Sequence, residues 1–433
     1  MLKTQELIEK IHAGSYDSAF RALYSCADQA EVDRQRARYI KAVQRFEELY
    51  GAGREVAIYS APGRTEIGGN HVDHNNGIVM AAAVNLDIIA VVSRNDSEIV
   101  RVKSHGFRDA DVVDLSKDGV VEREKGRSSS LIRGVAARIR QLGGKAAGFD
   151  AYTTSDVLRG SGLSSSAAFE VVIGAVFNGE FNDFRFTPVE IAQIGQYAEN
   201  VYFGKPSGLL DQTASSVGSA ITIDFKDPTA PVVEELSFNL AKHGLFLCIT
   251  DTKGSHADLT DDYAAIRAEM EQVAAFFGKK VLREVDEADL FASLAQVREK
   301  TGDRAVLRAI HFFEECRRAV ALREAVRQDD MERFKKLIIA GGHSSFEYNQ
   351  NAYSIRHPQE QGVPLGLALS QKVLEGAGAW RLQGGGFAGT IQAFVPAERL
   401  EQYIGAMESA FGKGSCYVLN VRNFGAVQVN EKL

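Results

Sequence analysis

Apolar residues recur at helical spacing before Tyr50, at Tyr39, Ile40, Val43, Phe46 and Leu49, within a stretch rich in Ala, Glu, Arg and Lys. This pattern predicts an amphipathic helix packed on the body of the protein. The period then changes: Val56 and Ile58 alternate with small or polar residues into Ala61-Pro62-Gly63, predicting a strand that ends in a turn. Met80 to Val92 is nearly continuous in apolar and small residues, broken by Asn85 and Asp87, and predicts buried strands of a mixed sheet. Helical spacing returns at Ile132, Val135, Ala136 and Ile139 and is closed by Gly143-Gly144. Thr187-Pro188-Val189-Glu190 is a capping box with Pro at the first helical position. Ile191, Ile194 and Ala198 follow on one face, so this helix delivers Glu199 to its C-terminal part.

The pattern is interrupted at Asp224 to Pro231, where Lys226, Asp227, Pro228 and Pro231 separate two strand-like runs and suggest a domain boundary. Beyond it, Leu245 to Thr250 predicts a buried strand, and Ile266, Met270, Val273 and Phe277 mark one face of a helix over 264–277. More helices are expected through Phe346, and the glycine loop at 384–389 feeds a strand ending near Val395. The resulting division is a helical extension over 1–45, an N-terminal domain over 46–226 and a C-terminal domain over 227–433.

Three polar stretches interrupt this frame in ways that packing alone does not require. Val157 to Glu170 passes through Gly160, Ser161, Gly162, Leu163, Ser164, Ser165, Ser166 and Ala167 into an apolar helical run. Glycines without a Cβ, hydroxyls and free first-turn N–H groups make a cradle for phosphate; a small-residue turn capping a core helix is the alternative. It is neither the Gly-Lys-Ser/Thr nucleotide loop nor a dinucleotide fingerprint. Gly63 to Gly77 gathers Arg64, Glu66, Asn70, His71, Asp73 and His74. Two readings stand: a metal site of His71, Asp73 and His74, which lacks regular zinc spacing, and a polyol site with fixed donors and acceptors, which fits better. A turn solvated by its own side chains explains Asn75-Asn76-Gly77 better than it explains Arg64, His71 and Asp73. The loop Gly204 to Gln212 includes Gly208 and ends in Asp211, a carboxylate between apolar and small residues and a candidate catalytic group.

Composition narrows the class. With 433 residues and ordinary apolar and charged fractions, the chain is long enough for two domains and a large core. A formal charge of -7 argues against a broad nucleic-acid footprint. Cys26, Cys248, Cys316 and Cys416 are scattered and read as free thiols, which fits a reducing cytoplasm. The N-terminus lacks a signal-peptide core and no long apolar run occurs, so neither membrane nor export is expected.

Taken together, these segments resemble the galactokinase branch of the GHMP small-molecule kinases, from about Phe46 to the C-terminus. The sugar signature resembles Ala61-Pro-Gly-Arg64 through His71-Val-Asp73 to Gly77, the phosphate loop Gly160 to Ala167, and the third motif Gly384-Gly-Gly-Phe-Ala-Gly389. Ser255 to Tyr263 and His343 to Glu347 resemble two further family segments. The resemblance implies an α+β, two-domain architecture with the active site in the cleft. Its N-terminal domain would be like domain 2 of ribosomal protein S5 and its C-terminal domain ferredoxin-like. It implies a cytoplasmic enzyme, with a monomer favoured, that uses ATP and Mg2+ to phosphorylate the anomeric hydroxyl of galactose.

Site roles follow from the same resemblance. Asp211 is the catalytic carboxylate and Arg64 its partner; Asn70, His71, Asp73, Gly208 and Tyr263 join them at the sugar; Gly160 to Ala167 bind the nucleotide; Ser166 and Glu199 hold the metal. Asn70 stands where the family usually has Glu, and Thr65-Glu66 where it usually has Val-Asn, so hydroxyl recognition is the point of departure. A kinase for N-acetylgalactosamine, arabinose or an isoprenoid alcohol, and a sugar sensor without catalysis, are the alternatives. The set of His71, Asp73 and Tyr263 argues against an apolar alcohol.

Overall fold

A computed structural model describes residues 1–157, 162–254 and 259–433. Its first eight strands are β1 (Leu2–Lys3), β2 (Glu55–Gly68), β3 (Ile78–Arg94), β4 (Ile99–Ser104), β5 (Asp111–Asp114), β6 (Phe149–Ser155), β7 (Ala220–Asp224) and β8 (Val232–Leu236). The remaining five are β9 (Leu245–Asp251), β10 (Ala379–Leu382), β11 (Thr390–Pro396), β12 (Cys416–Leu419) and β13 (Val427–Val429). The larger sheet runs β1-β2-β3-β6-β4-β5, with β13 on β2, β7 on β3 and β8 on β7. Among the described residues only the β4–β6 pair is parallel, so the sheet is mixed as its apolar run suggests. One half of β3 pairs with β6 and the other half with β7.

Both faces of this sheet are covered, which is why β3 reads as an unbroken apolar run. Alternation along β2 divides the faces. Val56 and Ile58 join Phe20, Tyr39, Val43 and Phe46 of the N-terminal helices, while Ala57, Tyr59 and Ala61 face Val172 and Val176 of the Ser165–Asn182 helix. The helix expected before Tyr50 is Gln29–Tyr50. The two polar interruptions of β3 have partners. Asn85 bonds reciprocally to the backbone of Asn420. The buried Asp87 accepts from Tyr24 at 2.7 Å, Arg38 at 2.7 Å and Arg422 at 3.0 Å. Burial would raise the Asp87 pKa, but the two guanidiniums outweigh it and hold the carboxyl below its ordinary range. The N-terminal helices, the central sheet and the C-terminal segment are therefore tied at one buried charge.

The smaller sheet, β10-β11-β9-β12, is antiparallel. Its strands also alternate: Leu247 and Ile249 join the core of the larger sheet, and Cys248 joins the core beneath the Gly362–Leu374 and Leu400–Phe411 helices. The two sheets thus share a core across their junction.

Two expectations need correction. β2 does not stop at Ala61-Pro62-Gly63; it continues to Gly68 with register shifts at Pro62/Arg64 and Glu66/Gly68. A proline cannot donate to a ladder, and a bulge accommodates it without ending the strand. The Asp224 to Pro231 segment is also not a boundary. It is the turn of a β7–β8 hairpin inside the larger sheet, and the chain leaves that sheet only after Leu236. Turn-forming residues look alike in a hairpin loop and in a linker, and here Asp227 accepts from its own Thr229 N–H at 2.9 Å. The C-terminal β13 also returns to the larger sheet, so residues 227–433 are not a contiguous spatial unit. Among the described residues no helix is long and apolar enough to cross a membrane.

Candidate active site

The bulge in β2 is what aims Arg64. Its backbone N–H donates to Leu163 O at 3.1 Å instead of continuing the ladder, which brings the sugar signature against the phosphate loop. The side chain is nearly buried and forks: Nε donates to Asp211 Oδ1 at 2.7 Å, and a second nitrogen to Gly162 O at 2.5 Å. Asp211 sits in the first turn of the Leu210–Val217 helix, and its other oxygen accepts from the Ser164 hydroxyl. Its side chain keeps 37% exposure, so it is open to a ligand on one side. Burial would raise the Asp211 pKa; the Arg64 charge and the bonds from Arg64 and Ser164 overcome that and hold it below the ordinary range. The result is a carboxylate fixed in direction and charged at neutral pH. It can orient a hydroxyl and receive its proton once that hydroxyl has begun to attack.

The Ser165–Asn182 helix opens beside this pair. Ser164 has left-handed backbone, φ 56°, and does not cap the helix, because its hydroxyl is committed to Asp211. The first-turn N–H groups therefore point outward without a side-chain cap, Ser166 is exposed, and Leu163 and Ala167 are buried so that only their backbones could meet a phosphate. Gly162 has φ 69°, and a Cβ there would lie 2.5 Å from Thr390 Oγ1, so the position admits no side chain. Gly160 and Ser161 lie outside the described residues, as do Ser255 to Asp258.

One helical turn beyond Ser166, Glu170 is joined to Glu199 by Gln212, whose amide nitrogen donates to Glu170 at 2.9 Å and to Glu199 at 3.0 Å. Glu199 lies in a π-helical turn, Ala198–Phe203, that continues the Pro188–Tyr197 helix, and Lys205 Nζ is 3.2 Å from its other oxygen. Among the described residues the buried Glu170 Oε1 has no hydrogen-bond partner. Burial, then the Glu199 charge, raises the Glu170 pKa well above its ordinary value. Among the described residues there is no cluster of three or more His, Cys, Asp or Glu able to hold a metal. One carboxylate and one hydroxyl do suit Mg2+, which keeps its waters and takes most other oxygens from a nucleotide.

The sugar loop turns at Gly69, φ 84°, and His71, φ 58°. His71 Nε2 is 2.9 Å from Gly385 O, so Nε2 carries the proton and Nδ1 is left as an acceptor. Burial pushes the His71 pKa down to about 4, keeping the ring neutral. Burial and the neighbouring Asp211 charge raise Asp73 to about 6. Gly208 closes against it: a Cβ there would lie 1.7 Å from Asp73 Oδ2. Tyr263 lies over the third glycine motif, donating to Gly386 O at 3.0 Å and packing edge-on against Phe387. Arg64 and Asp211 thus meet directly, as do Asp73 and Gly208, while His71 and Tyr263 converge on Gly385 and Gly386.

Asn70 does not join them, which corrects its expected role at the sugar. It is fully buried and its amide is fully used. The nitrogen donates to Glu66 Oε1 at 2.9 Å and Gly384 O at 2.7 Å; the oxygen accepts from Asn351 at 2.9 Å and Ser345 at 3.3 Å. Sequence reasoning missed the residues around it, Glu315, His311, Arg381 and Asn351. Their one visible signal was the spacing of His311 and Glu315, four apart and so on one face of the Asp303–Arg327 helix.

A galactokinase galactose-binding signature matches residues 44–94, and a GHMP kinases N terminal domain matches 130–219. The fold is shared with a Lactococcus lactis galactokinase complexed with galactose, at TM-score 0.74, 23% identity and coverage of 89% of this chain and 98% of that one. It is also shared with a Methanococcus jannaschii mevalonate kinase, at TM-score 0.60, 12% identity and coverage of 85% and 98%. The matched N-terminal domain and the shared fold thus give this chain the GHMP kinase fold. Within that class the sequence is 34% identical over 372 residues to a galactokinase of Streptomyces coelicolor, covering 85% of this chain and 92% of the relative. To an Actinobacillus pleuropneumoniae galactokinase it is 33% identical, covering 83% and 90%. The chain belongs to the galactokinase family.

Proposed function

We propose that this protein transfers the γ-phosphoryl group of ATP to the anomeric hydroxyl of galactose, giving galactose 1-phosphate and ADP. The observation that carries the reading is the Arg64–Asp211 pair, held between the sugar loop and the open end of the Ser165–Asn182 helix. A hydroxyl placed at the exposed side of Asp211 would be oriented by the carboxylate and would pass its proton to it as the O–P bond forms. The Arg64 guanidinium sets a positive charge beside the transferring phosphoryl group. His71 Nδ1 and Asp73 accept from sugar hydroxyls, and the closed contact at Gly208 sets the wall of the sugar site. The first-turn N–H groups from Ser164 onward, with Gly160 and Ser161, cradle the nucleotide's phosphates. Ser166 and Glu199 would hold Mg2+, which neutralises phosphate charge when bound. Most of the rate gain is then positioning and fixed charge.

The assay is ADP release in a coupled system over a panel of galactose, N-acetylgalactosamine, arabinose and mevalonate. Galactose is expected to have the highest kcat/KM. Turnover highest with another acceptor would replace galactose, and tight binding of both ligands without turnover would replace the enzyme with a sensor.

A further inference from the structure

The side chains expected to meet the sugar come from a loop whose shape is held from behind. Two consecutive N–H groups, of Gly69 and Asn70, point away from the cleft and both donate to Glu315 Oε2, at 3.0 and 3.3 Å. The Asn70 carbonyl faces the same way and accepts from His311 Nε2 at 2.8 Å, while His311 Nδ1 accepts from Ser344 at 2.8 Å. Glu315 and His311 have no exposed surface. Glu315 is kept ionised beside Arg318 and Arg381: burial would raise its pKa, and these guanidiniums together hold it below the ordinary carboxylate range. The next residue, His71, is the one that must adopt left-handed backbone, a conformation a non-glycine residue keeps only when its surroundings hold it there.

We propose that Glu315, assisted by His311, is a positioning residue for sugar binding: it fixes the peptide planes on either side of Asn70 and so sets the direction of His71 and Asp73. Neither residue touches the sugar. The charge-assisted bonds at Gly69 and Asn70 select one orientation of the turn, and His311 selects the same orientation through the Asn70 carbonyl that follows them. This role rests on the reading of His71 and Asp73 as sugar contacts; among the described residues of the phosphate loop, 162–167, none bonds to Glu315 or His311, and nucleotide binding is expected to be independent of the brace.

The test uses the full-length enzyme with Glu315→Ala, Glu315→Gln and His311→Gln, each measured for hydrogen exchange over residues 66–77 and for galactose and AMP-PNP affinity by calorimetry. In Glu315→Ala the loop should exchange at least about tenfold faster and bind galactose at least about tenfold more weakly, with AMP-PNP within about twofold. Glu315→Gln, which keeps one acceptor oxygen, should fall between it and wild type. If Glu315→Ala does not fold, the other two variants carry the test at a threshold of about threefold. Unchanged loop exchange, or equal loss of galactose and AMP-PNP affinity, overturns the proposal. A wild type that does not bind galactose refutes the galactose reading instead, while the exchange measurement still decides the brace.

Discussion

Replacing Asn70 by Asp exchanges one atom and tests where that residue works. The Asn70 amide nitrogen supplies two hydrogen bonds, to Glu66 Oε1 at 2.9 Å and to Gly384 O at 2.7 Å, in a site without water-accessible surface. An Asp oxygen cannot donate, so Gly384 O loses the Asn70 bond, Glu66 Oε1 keeps only the longer bond from Arg381 at 3.3 Å, and both face a third acceptor. A buried polar group left unsatisfied costs about 1 to 3 kcal/mol, and the weakened Glu66 acceptor adds to that. One loss is recoverable. Burial raises Glu66 to about 7 despite the nearby Arg381 and Arg64 charges, so a proton taken up by the new pair restores one donor. The expected net loss is about 1 to 3 kcal/mol at pH 8, smaller at pH 6, read from urea unfolding curves at both pH values. The galactose KM, measured at a temperature where both proteins are folded, should rise only through loop disorder. A stability change under about 0.5 kcal/mol together with a large change in galactose KM would refute the reasoning and return Asn70 to the sugar.

Asp211→Asn should lower turnover by roughly 10² to 10⁴ while galactose and AMP-PNP affinities stay near wild type, and a mutant within about threefold in kcat would remove Asp211 from the chemistry. Gly208→Ala places a Cβ 1.7 Å from Asp73 Oδ2, so it must displace that carboxylate; galactose affinity should fall at least about tenfold with AMP-PNP binding intact, and normal affinity in both would detach Asp73 from the sugar. Glu66 is held at about 7 against an ordinary 4.5, so the folded state binds more protons than the unfolded one between these values, and Glu66 contributes stability at low pH that is lost as pH rises toward 7. By that linkage Glu66→Gln should gain up to ~3 kcal/mol on wild type between pH 5 and pH 8, and parallel pH–stability curves would contradict it.

Features that depend on neighbouring residues were legible in the sequence. The capping box at Thr187 forms as read, with Glu190 returning its bond to the Thr187 N–H. The glycine spacing around Ser164 does open a helix, and the alternation of Val56 and Ile58 does place a strand. What the sequence hid depends on partners far along the chain. Ser164 looks like a phosphate or capping hydroxyl, yet it is directed to Asp211, 47 residues on. Asn70 looks like a sugar contact because it lies between Arg64 and His71, but its partners include Asn351 and Gly384. Glu315 and His311 meet a loop more than 240 residues away, and no local pattern marks that meeting. Pro62 reads as a stop, and only pairing on both sides of β2 shows that the strand absorbs it as a bulge.

Phosphoryl transfer to a sugar hydroxyl oriented by Asp211 and flanked by Arg64 is the central step of the proposed reaction. The most direct measurement is 31P NMR of the product formed from galactose, ATP and Mg2+, with wild type and Asp211→Asn side by side. The expected product is a phosphomonoester coupled to the anomeric proton of galactose, formed by wild type and nearly absent with the variant. A phosphoryl group on another hydroxyl, ATP hydrolysis to free phosphate, or equal product from both proteins would contradict it.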